Sequence, residues 1–593
     1  MAVRKLAGLR PSGRLLVVSL IIVSLIFAAC VLTLGLFAQG VNGYEVSLSQ
    51  VLFPTATFIL TSGFVVLLSW IIYGVLRHRS LAASFIPVTI GLTILYDTIL
   101  LIPSVRYGVP FDRWDVWFYL GFAHDLSRTG AVNLLTDFYP GFQVLTVTLD
   151  NLSGVDPTTS VGIFFSILAA SRIPVVALTA RRLVGPNGGL LAAAVAAIAG
   201  FTTTGLYGSP WAFSLLLLDF YVMASVMTPA KSSGAMRILQ LVLGTGIVIA
   251  HILTAVALVL ALCLLFVLVI LARTTDPSRQ LLKKAPAIGS LVVLTVGYLF
   301  LLTNVYQVTI ETIISNLGRS NPISLEAALS RNFTLTAIGQ VLFPEMVTGA
   351  LAFGGLVFTW RHKQLWNRGV FVAVLFSSSV FLFLLEETLV RKSLFGPNRP
   401  LSLAVQTTPI LAAMLLVGER TVSPLKSPAS PRHPRLWSTR RSPFLVATSL
   451  FLVAAFAFGS TTVYPGPDVF NVSPQLSHCE QSAVVWVGTS GTPQPIITDE
   501  SLSRSSYYYS RALSNWTSGY WGYQNALPSH LSLQDLHGPA TILISNHILA
   551  KGATGLVPNW TISNADWISF ALTPGLDSVY DCGSAKAFVL NPI

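Results

Sequence analysis

Long apolar runs recur along this chain and limit what it can fold into. Hydrophobic residues make up 53% of the 593 residues and charged residues only 10%, less than half of the roughly 25% usual in soluble domains. A helical run of about 17–25 apolar residues is long enough to cross a bilayer. About thirteen such spans are predicted, at 14–37, 54–76, 81–103, 158–180, 188–204, 211–227, 237–250, 253–271, 285–302, 339–359, 369–385, 401–417 and 443–459.

Lysine and arginine are concentrated in every second loop between the predicted spans. Cytoplasmic loops carry this excess, so the net charge of +12 is explained without a nucleic-acid partner. The first apolar run is too long for a cleavable signal and is interpreted as a retained span. The pattern predicts a multi-pass protein of the cell membrane, with a cytoplasmic N-terminus and an extracytoplasmic C-terminus. The segment 104–157 then lies on the outer face.

The composition changes near residue 460 and predicts two domains, 1–460 in the membrane and 461–593 outside it. The second region is polar and Ser-rich, with strand-like runs at 483–487, 495–498, 541–545 and 587–590. This pattern favours a small α/β domain. Cys479 and Cys582 lie near its two ends, on the side where disulfides persist, and we predict that they are bonded.

The outer segment 104–157 is unusually acidic for a chain of this kind. Its stretch 111–154 has five Asp, one His and two Arg. Charge is costly in lipid, so it is expected outside the bilayer or at a working site. A helix near 114–126 would place Asp115 and Tyr119 one turn apart, and Asp112 would lie at its start, where it could equally be an N-cap. A second amphipathic stretch, 142–152, predicts another helix lying along the membrane surface. The alternative is that these acids are only solvated loop charge.

The motif Asp112-Arg-Trp-Asp115, followed by an aromatic run and Tyr139-Pro-Gly-Phe, resembles the first large external loop of GT-C superfamily membrane glycosyltransferases. The similarity is to prokaryotic multi-spanning members, which take sugars from polyprenyl-phosphate-linked donors. It implies a GT-C-like all-α membrane domain, with Asp115 and Asp112 as catalytic residues. In that superfamily the acidic loop usually follows the first helix, whereas three predicted spans precede it here.

Further residues fit a site for a lipid phosphate. His251 interrupts an apolar stretch where two spans meet at the outer face, and a packed helix-turn histidine is the alternative. Arg391, Lys392 and Arg399 lie outside, against the charge trend, which suggests an anionic partner. A surface pair with Glu387 would explain them equally well. Tyr119 and Tyr139 complete the predicted substrate-binding set.

The expected function is transfer of a hexosyl or pentosyl group, with inversion, to an extracytoplasmic protein, lipid or polysaccharide of the cell envelope. The resemblance leaves open a divalent cation, Mg or Mn. The alternative is a transporter or flippase of a lipid-linked substrate, for which charges buried at mid-membrane in broken helices are expected. Asp97 and Asp219 are the candidate pair for that alternative. A third possibility is a non-catalytic scaffold that presents the C-terminal domain.

Overall fold

The computed structural model shows a large helical region followed by a helix and a small sheet. The structure describes residues 11–37, 55–77, 79–107, 115–132, 139–155, 157–199, 209–227, 234–271, 285–303, 335–385, 398–422, 435–462, 478–490, 496–498, 502, 539–546, 568, 570–583 and 585–591.

The helical region begins with three long helices and then two short ones. Within the described residues its helices are α1 Pro11–Phe37, α2 Thr55–Leu76, α3 Phe85–Tyr107, α4 Asp115–Thr129, α5 Pro140–Ser153, α6 Pro157–Ala196, α7 Pro210–Met227, α8 Gly234–Ala250, α9 Ile252–Leu271, α10 Ala285–Gly297 with a π-helical turn Tyr298–Leu302, α11 Leu335–Arg361, α12 Lys363–Leu385, α13 Asn398–Val422 and α14 Arg435–Thr462.

Most of these helices are apolar along their whole length. Five of those described are long and apolar enough to cross a bilayer, and seven shorter apolar helices accompany them. Each predicted span overlaps one of these apolar helices, and residues 200–204 of the span predicted at 188–204 lie outside the described residues. An all-helical membrane region followed by a small mixed domain is therefore confirmed as the fold class, while the count of thirteen spans and the domain boundaries stay predictions.

The helix α6 is a helical hairpin rather than one rod. Its two arms, 157–184 and 186–196, meet at Gly185, whose φ of 83° and ψ of 179° break the helix. Only glycine adopts such a conformation at little cost. A Cβ at Gly189 would lie 2.7 Å from the backbone oxygen of Ala177, so the arms pack backbone to backbone. The arms correspond to the two spans predicted at 158–180 and 188–204.

Two of the basic loops meet at one end of the bundle, beside this hairpin turn. The Asn187 side chain accepts a hydrogen bond from the Leu81 amide (2.9 Å) and donates one to the Arg79 carbonyl (2.9 Å). The Arg181 guanidinium lies over the ring of Phe85, 4.6 Å from its centroid. The loop before α3 and the turn within α6 were both predicted on the cytoplasmic face from their charge. The structure brings these two loops together.

The helices α11 and α13 approach each other very closely at Gly355. A Cβ built there would overlap the backbone carbonyl of Leu411 on α13. Neither backbone can move without moving its whole helix, so only glycine permits this crossing. At Gly349, on the same helix, the space that a Cβ would take is open, with no heavy atom within 4 Å.

These two glycines predict opposite effects of the same substitution. Gly355→Ala should lower the thermal midpoint, since overpacking of a tight contact typically costs about 1–3 kcal/mol. Gly349→Ala is the matched control and should leave the midpoint unchanged or raise it, because alanine favours a helix. The measurement is thermal unfolding in detergent, followed by size-exclusion chromatography. Equal midpoints for the two variants would contradict the close crossing.

Within its described residues, the C-terminal region packs a long helix on a four-stranded sheet. Its elements are α15 His478–Thr489, β1 Ile496–Ile497, β2 Ala540–Ser545, β3 Leu576–Asp581 and β4 Ala585–Leu590. The strand order is β1-β2-β4-β3, with β1 parallel to β2 and the other pairs antiparallel.

One of the strands predicted in this region is wrong. The run 483–487 lies within α15, where Ala483, Val484 and Val487 are buried at helical spacing against the sheet. A short apolar run cannot distinguish a strand from a buried helix. The strand β3 was not predicted, because it lies at the edge of the sheet and most of its side chains are exposed.

A disulfide joins α15 to the turn between β3 and β4. Cys479 and Cys582 are bonded, with their Cα atoms 5.8 Å apart. In the same turn, Asp581 accepts hydrogen bonds from Lys586 Nζ (2.7 Å) and from the Gly583 amide (2.8 Å). These bonds, the lysine's first, lower the pKa of the Asp581 carboxyl below its usual value. The disulfide therefore fastens the first helix of the region to its last hairpin.

Candidate functional site

The two short helices of the acidic segment pack against the end of the bundle. Both are shorter than the roughly 20 residues needed to cross a bilayer. The ring of Tyr119 on α4 meets that of Phe142 on α5 edge to face, 5.8 Å between centroids. We call their shared core the outer cluster; its buried members are Val116, Trp117, Leu120, Phe142, Val161 and Phe165. Both amphipathic stretches predicted in this segment are thus helical.

An aromatic stack lies where three turns of the chain meet. The ring of His251, between α8 and α9, stacks on Tyr139 with 4.7 Å between centroids. Trp211, at the start of α7, meets the same imidazole edge to face at 4.6 Å. Gly141 permits the contact, since a Cβ there would lie 3.2 Å from the backbone oxygen of Ile249. Two residues predicted for substrate binding, Tyr139 and His251, are therefore in direct contact.

A buried arginine lies deeper in the bundle. Arg172, on the first arm of α6, is 8% exposed. Its Nη1 donates to the carbonyl of Ala199 (2.7 Å) and its Nη2 to the carbonyl of Val405 (2.6 Å). Its Nε lies 3.5 Å from Oδ2 of Asp219 on α7. We call these four residues the arginine junction.

Both carbonyls of the arginine junction lack a donor within their own helix. Val405 lies four residues before Pro409, and proline has no N–H with which to close the i to i−4 hydrogen bond. Ala199 is the last described residue of the turn that follows α6, and the last carbonyls at a helix end have no partner within the helix. Unpaired backbone groups are costly in lipid, so the guanidinium supplies the missing donors.

A small cleft of about 30 Å³ lies beside the arginine junction, between α3, α6, α7 and α13. Four polar residues line it: Tyr96, Arg172, Asp219 and Gln406. Its apolar wall includes Phe165, Leu168 and Phe213, which also belong to the outer cluster or pack against it. The cleft therefore begins directly beneath the helices of the acidic segment.

The structure places the other predicted residues only in part. Asp115 is the first residue of α4 and Arg399 the second residue of α13. Asp112, Glu387, Arg391 and Lys392 lie outside the described residues. Across the described ranges, no group of three His, Cys, Asp or Glu side chains could hold a metal ion, so Mg or Mn stays a prediction.

The two aspartates named for the transporter alternative, Asp97 and Asp219, have different surroundings. Asp219 pairs with Arg172, and Asp97 forms no ion pair within the part of the chain that the structure describes. The sequence analysis did not single out Arg172 as a candidate residue. An arginine inside an apolar span is nevertheless a sign of a structural or functional role. Its partners could not be found that way, because two of them are backbone carbonyls.

Removing Arg172 should destabilise the bundle strongly. Arg172→Met leaves the Asp219 carboxylate buried without its partner, a change that typically costs about 3–5 kcal/mol. Arg172→Met/Asp219→Leu should recover part of the loss, because no uncompensated charge remains. Asp97→Asn serves as the control and should shift the thermal midpoint much less. A double variant no more stable than the single one would argue against the ion pair.

Comparison with known proteins gives similarity of fold only. Neither a protein-family model nor a curated protein sequence matches the chain. The fold is similar to that of ArnT from Cupriavidus metallidurans, solved with undecaprenyl phosphate (TM-score 0.49, 13% identity, 86% of this chain and 100% of that chain covered).

Two further solved structures are similar. The Archaeoglobus fulgidus oligosaccharyltransferase has a TM-score of 0.48 and 11% identity over 78% of this chain and 70% of that one. The arabinofuranosyltransferase AftD from Mycobacteria has a TM-score of 0.44 and 13% identity over 85% of this chain and 40% of its own. Two of the three are transferases by name, and the similarities assign no role to any residue of this chain.

Proposed function

We propose that the protein is a membrane glycosyltransferase that moves a sugar from a polyprenyl-phosphate-linked donor to an extracytoplasmic acceptor. The observation that carries the proposal is the arrangement at one end of the bundle. There the acidic-segment helices share the outer cluster with the apolar wall of a cleft that also contains Arg172 and Asp219. The stack of Tyr139, His251 and Trp211 lies at the starts of α5, α7 and α9. A lipid-linked donor would reach such a cleft from the bilayer, and a hydrophilic acceptor would reach it from the aqueous side.

The proposed reaction is a single displacement with inversion at the anomeric carbon of a hexosyl or pentosyl donor. Asp115 accepts the proton of the acceptor hydroxyl, whose oxygen forms the new glycosidic bond. The bond to the phosphate oxygen breaks, and the polyprenyl phosphate leaves with the electron pair. Arg399 pairs with the departing phosphate. Asp112, Arg391, Lys392 and Glu387 are proposed for the same site from the sequence alone.

Substitution of the proposed base tests the chemistry. Asp115→Asn keeps the shape of the side chain but cannot take a proton, and loss of a general base typically costs about 10²–10⁴-fold in rate. Arg399→Ala should mainly raise the KM for the donor. Asp150→Asn, an acid of the same segment on α5, is the control and should transfer sugar at the parent rate. The assay is transfer from a polyprenyl-phosphate sugar in membranes at matched protein levels.

Parent-rate transfer by Asp115→Asn would remove this residue from the catalytic site. Asp112→Asn would then be the next variant to test, because the sequence motif offers both carboxylates. Parent-rate transfer by both would remove the acidic segment from the reaction.

The proposed site must face the outside of the cell. Leu152 on α5 is 80% exposed, and Leu152→Cys should react with a membrane-impermeant maleimide in intact cells. Ala83→Cys, in the exposed loop between α2 and α3, should react only after permeabilisation. The background is Cys30→Ala/Cys263→Ala, because Cys479 and Cys582 are bonded to each other. The reverse labelling pattern would overturn the assignment of the outer face.

A transporter or flippase of a lipid-linked substrate is the second candidate, and the buried pair of Arg172 and Asp219 favours it. Buried charges in interrupted helices are typical of transporters. The two candidates differ in proteoliposomes containing a fluorescent polyprenyl-linked sugar. A flippase moves the label between leaflets without an acceptor, whereas a glycosyltransferase changes the lipid only when an acceptor is present.

A further inference from the structure

We infer that Arg172 is a positioning residue, which holds the two sides of the proposed donor site at a fixed separation. The inference rests on the proposed function for the meaning of that site. One guanidinium connects α13, the helix that carries Arg399, with α7, the helix that carries Trp211. The arginine junction itself includes neither Arg399 nor Trp211.

The first side of the site is the start of α13. Val405, which accepts from Arg172 Nη2, lies six residues after Arg399, or about 9 Å along a helix at 1.5 Å per residue. Pro409 interrupts the hydrogen bonding of α13 just beyond this point. The first turns of α13 are therefore held less firmly by their own helix, and the bond from Arg172 fixes their direction.

The second side of the site is the start of α7. Asp219, which pairs with Arg172 Nε, lies eight residues after Trp211, or about 12 Å along the helix. Trp211 in turn packs against His251, and His251 against Tyr139. A shift of α7 would thus move the aromatic stack and the start of α5 together.

Arginine suits this task better than lysine. The planar guanidinium offers five N–H donors in a rigid fork, and here it meets two carbonyls and one carboxylate in three directions. A lysine ammonium is a point charge on a flexible stem, so it can keep the pair with Asp219 without fixing both carbonyls. Arg172→Lys should therefore retain the fold and lose part of the positioning.

The direct test measures the separation of the two sides. Spin labels at Leu401→Cys on α13 and Val144→Cys on α5, both exposed positions, report it by pulsed electron resonance of the full-length protein in nanodiscs. All spin-labelled variants also carry Cys30→Ala and Cys263→Ala, which remove the two free cysteines of the described residues. Arg172→Met/Asp219→Leu should broaden or shift the distance distribution, and Arg172→Lys should give an intermediate result.

Two controls separate positioning from general loosening. Ser225→Ala removes the hydrogen bond from Gln240 (3.1 Å) between α7 and α8 and should leave the distribution unchanged. A second label pair, Phe58→Cys on α2 and Leu450→Cys on α14, reports the far side of the bundle. An unchanged distribution for the first pair in the double variant would overturn the inference, as would equal broadening of both pairs.

A binding measurement connects the distance to the site. The affinity of the same nanodisc protein for a synthetic polyprenyl phosphate should fall by roughly tenfold or more in the double variant, since small misplacements of binding groups have large effects. Arg172→Lys should recover part of it. Parent affinity in a double variant with a shifted distance would overturn the positioning role. A parent protein that neither binds the probe nor transfers sugar would instead refute the proposed function, and the distance measurement would still decide the inference.

Discussion

A guanidinium buried among membrane helices needs partners for its charge and its donors, and Arg172 finds them in three separate parts of the chain. Its two hydrogen bonds end on carbonyls that Pro409 and a helix end leave unpaired, and its charge faces Asp219. Each group would be costly in lipid by itself. Together they satisfy one another and fix α6, α7 and α13 around one cleft.

The end of the bundle that carries the acidic-segment helices depends on that framework. The short helices α4 and α5 have too little length to cross the membrane, so they are held by the aromatic side chains of the outer cluster and by the stack on His251. Both contacts use residues at the starts of α6, α7 and α9. Asp115, the proposed catalytic residue, is the first residue of α4, and the place of this helix follows from its packing in the outer cluster.

The C-terminal region is stabilised in a different way. It has a small apolar core between α15 and the sheet, and the disulfide closes a sequence separation of 103 residues. Such a bond stabilises mainly by restricting the unfolded chain. Small domains often need such a bond, because their cores are limited in size.

The sequence by itself determined the membrane class, the place of the apolar helices, the two short helices of the acidic segment and the pairing available to Cys479 and Cys582. These follow from composition and local periodicity, which act within a few residues. It did not determine the helix at 483–487, where packing on a sheet decided between two conformations, or the edge strand β3. Only the tertiary structure decided that Tyr139 meets His251 and that Arg172 meets Asp219, Ala199 and Val405. Those partners are far apart in sequence, and two are backbone carbonyls with no sequence signature, so they become partners only when the helices have packed.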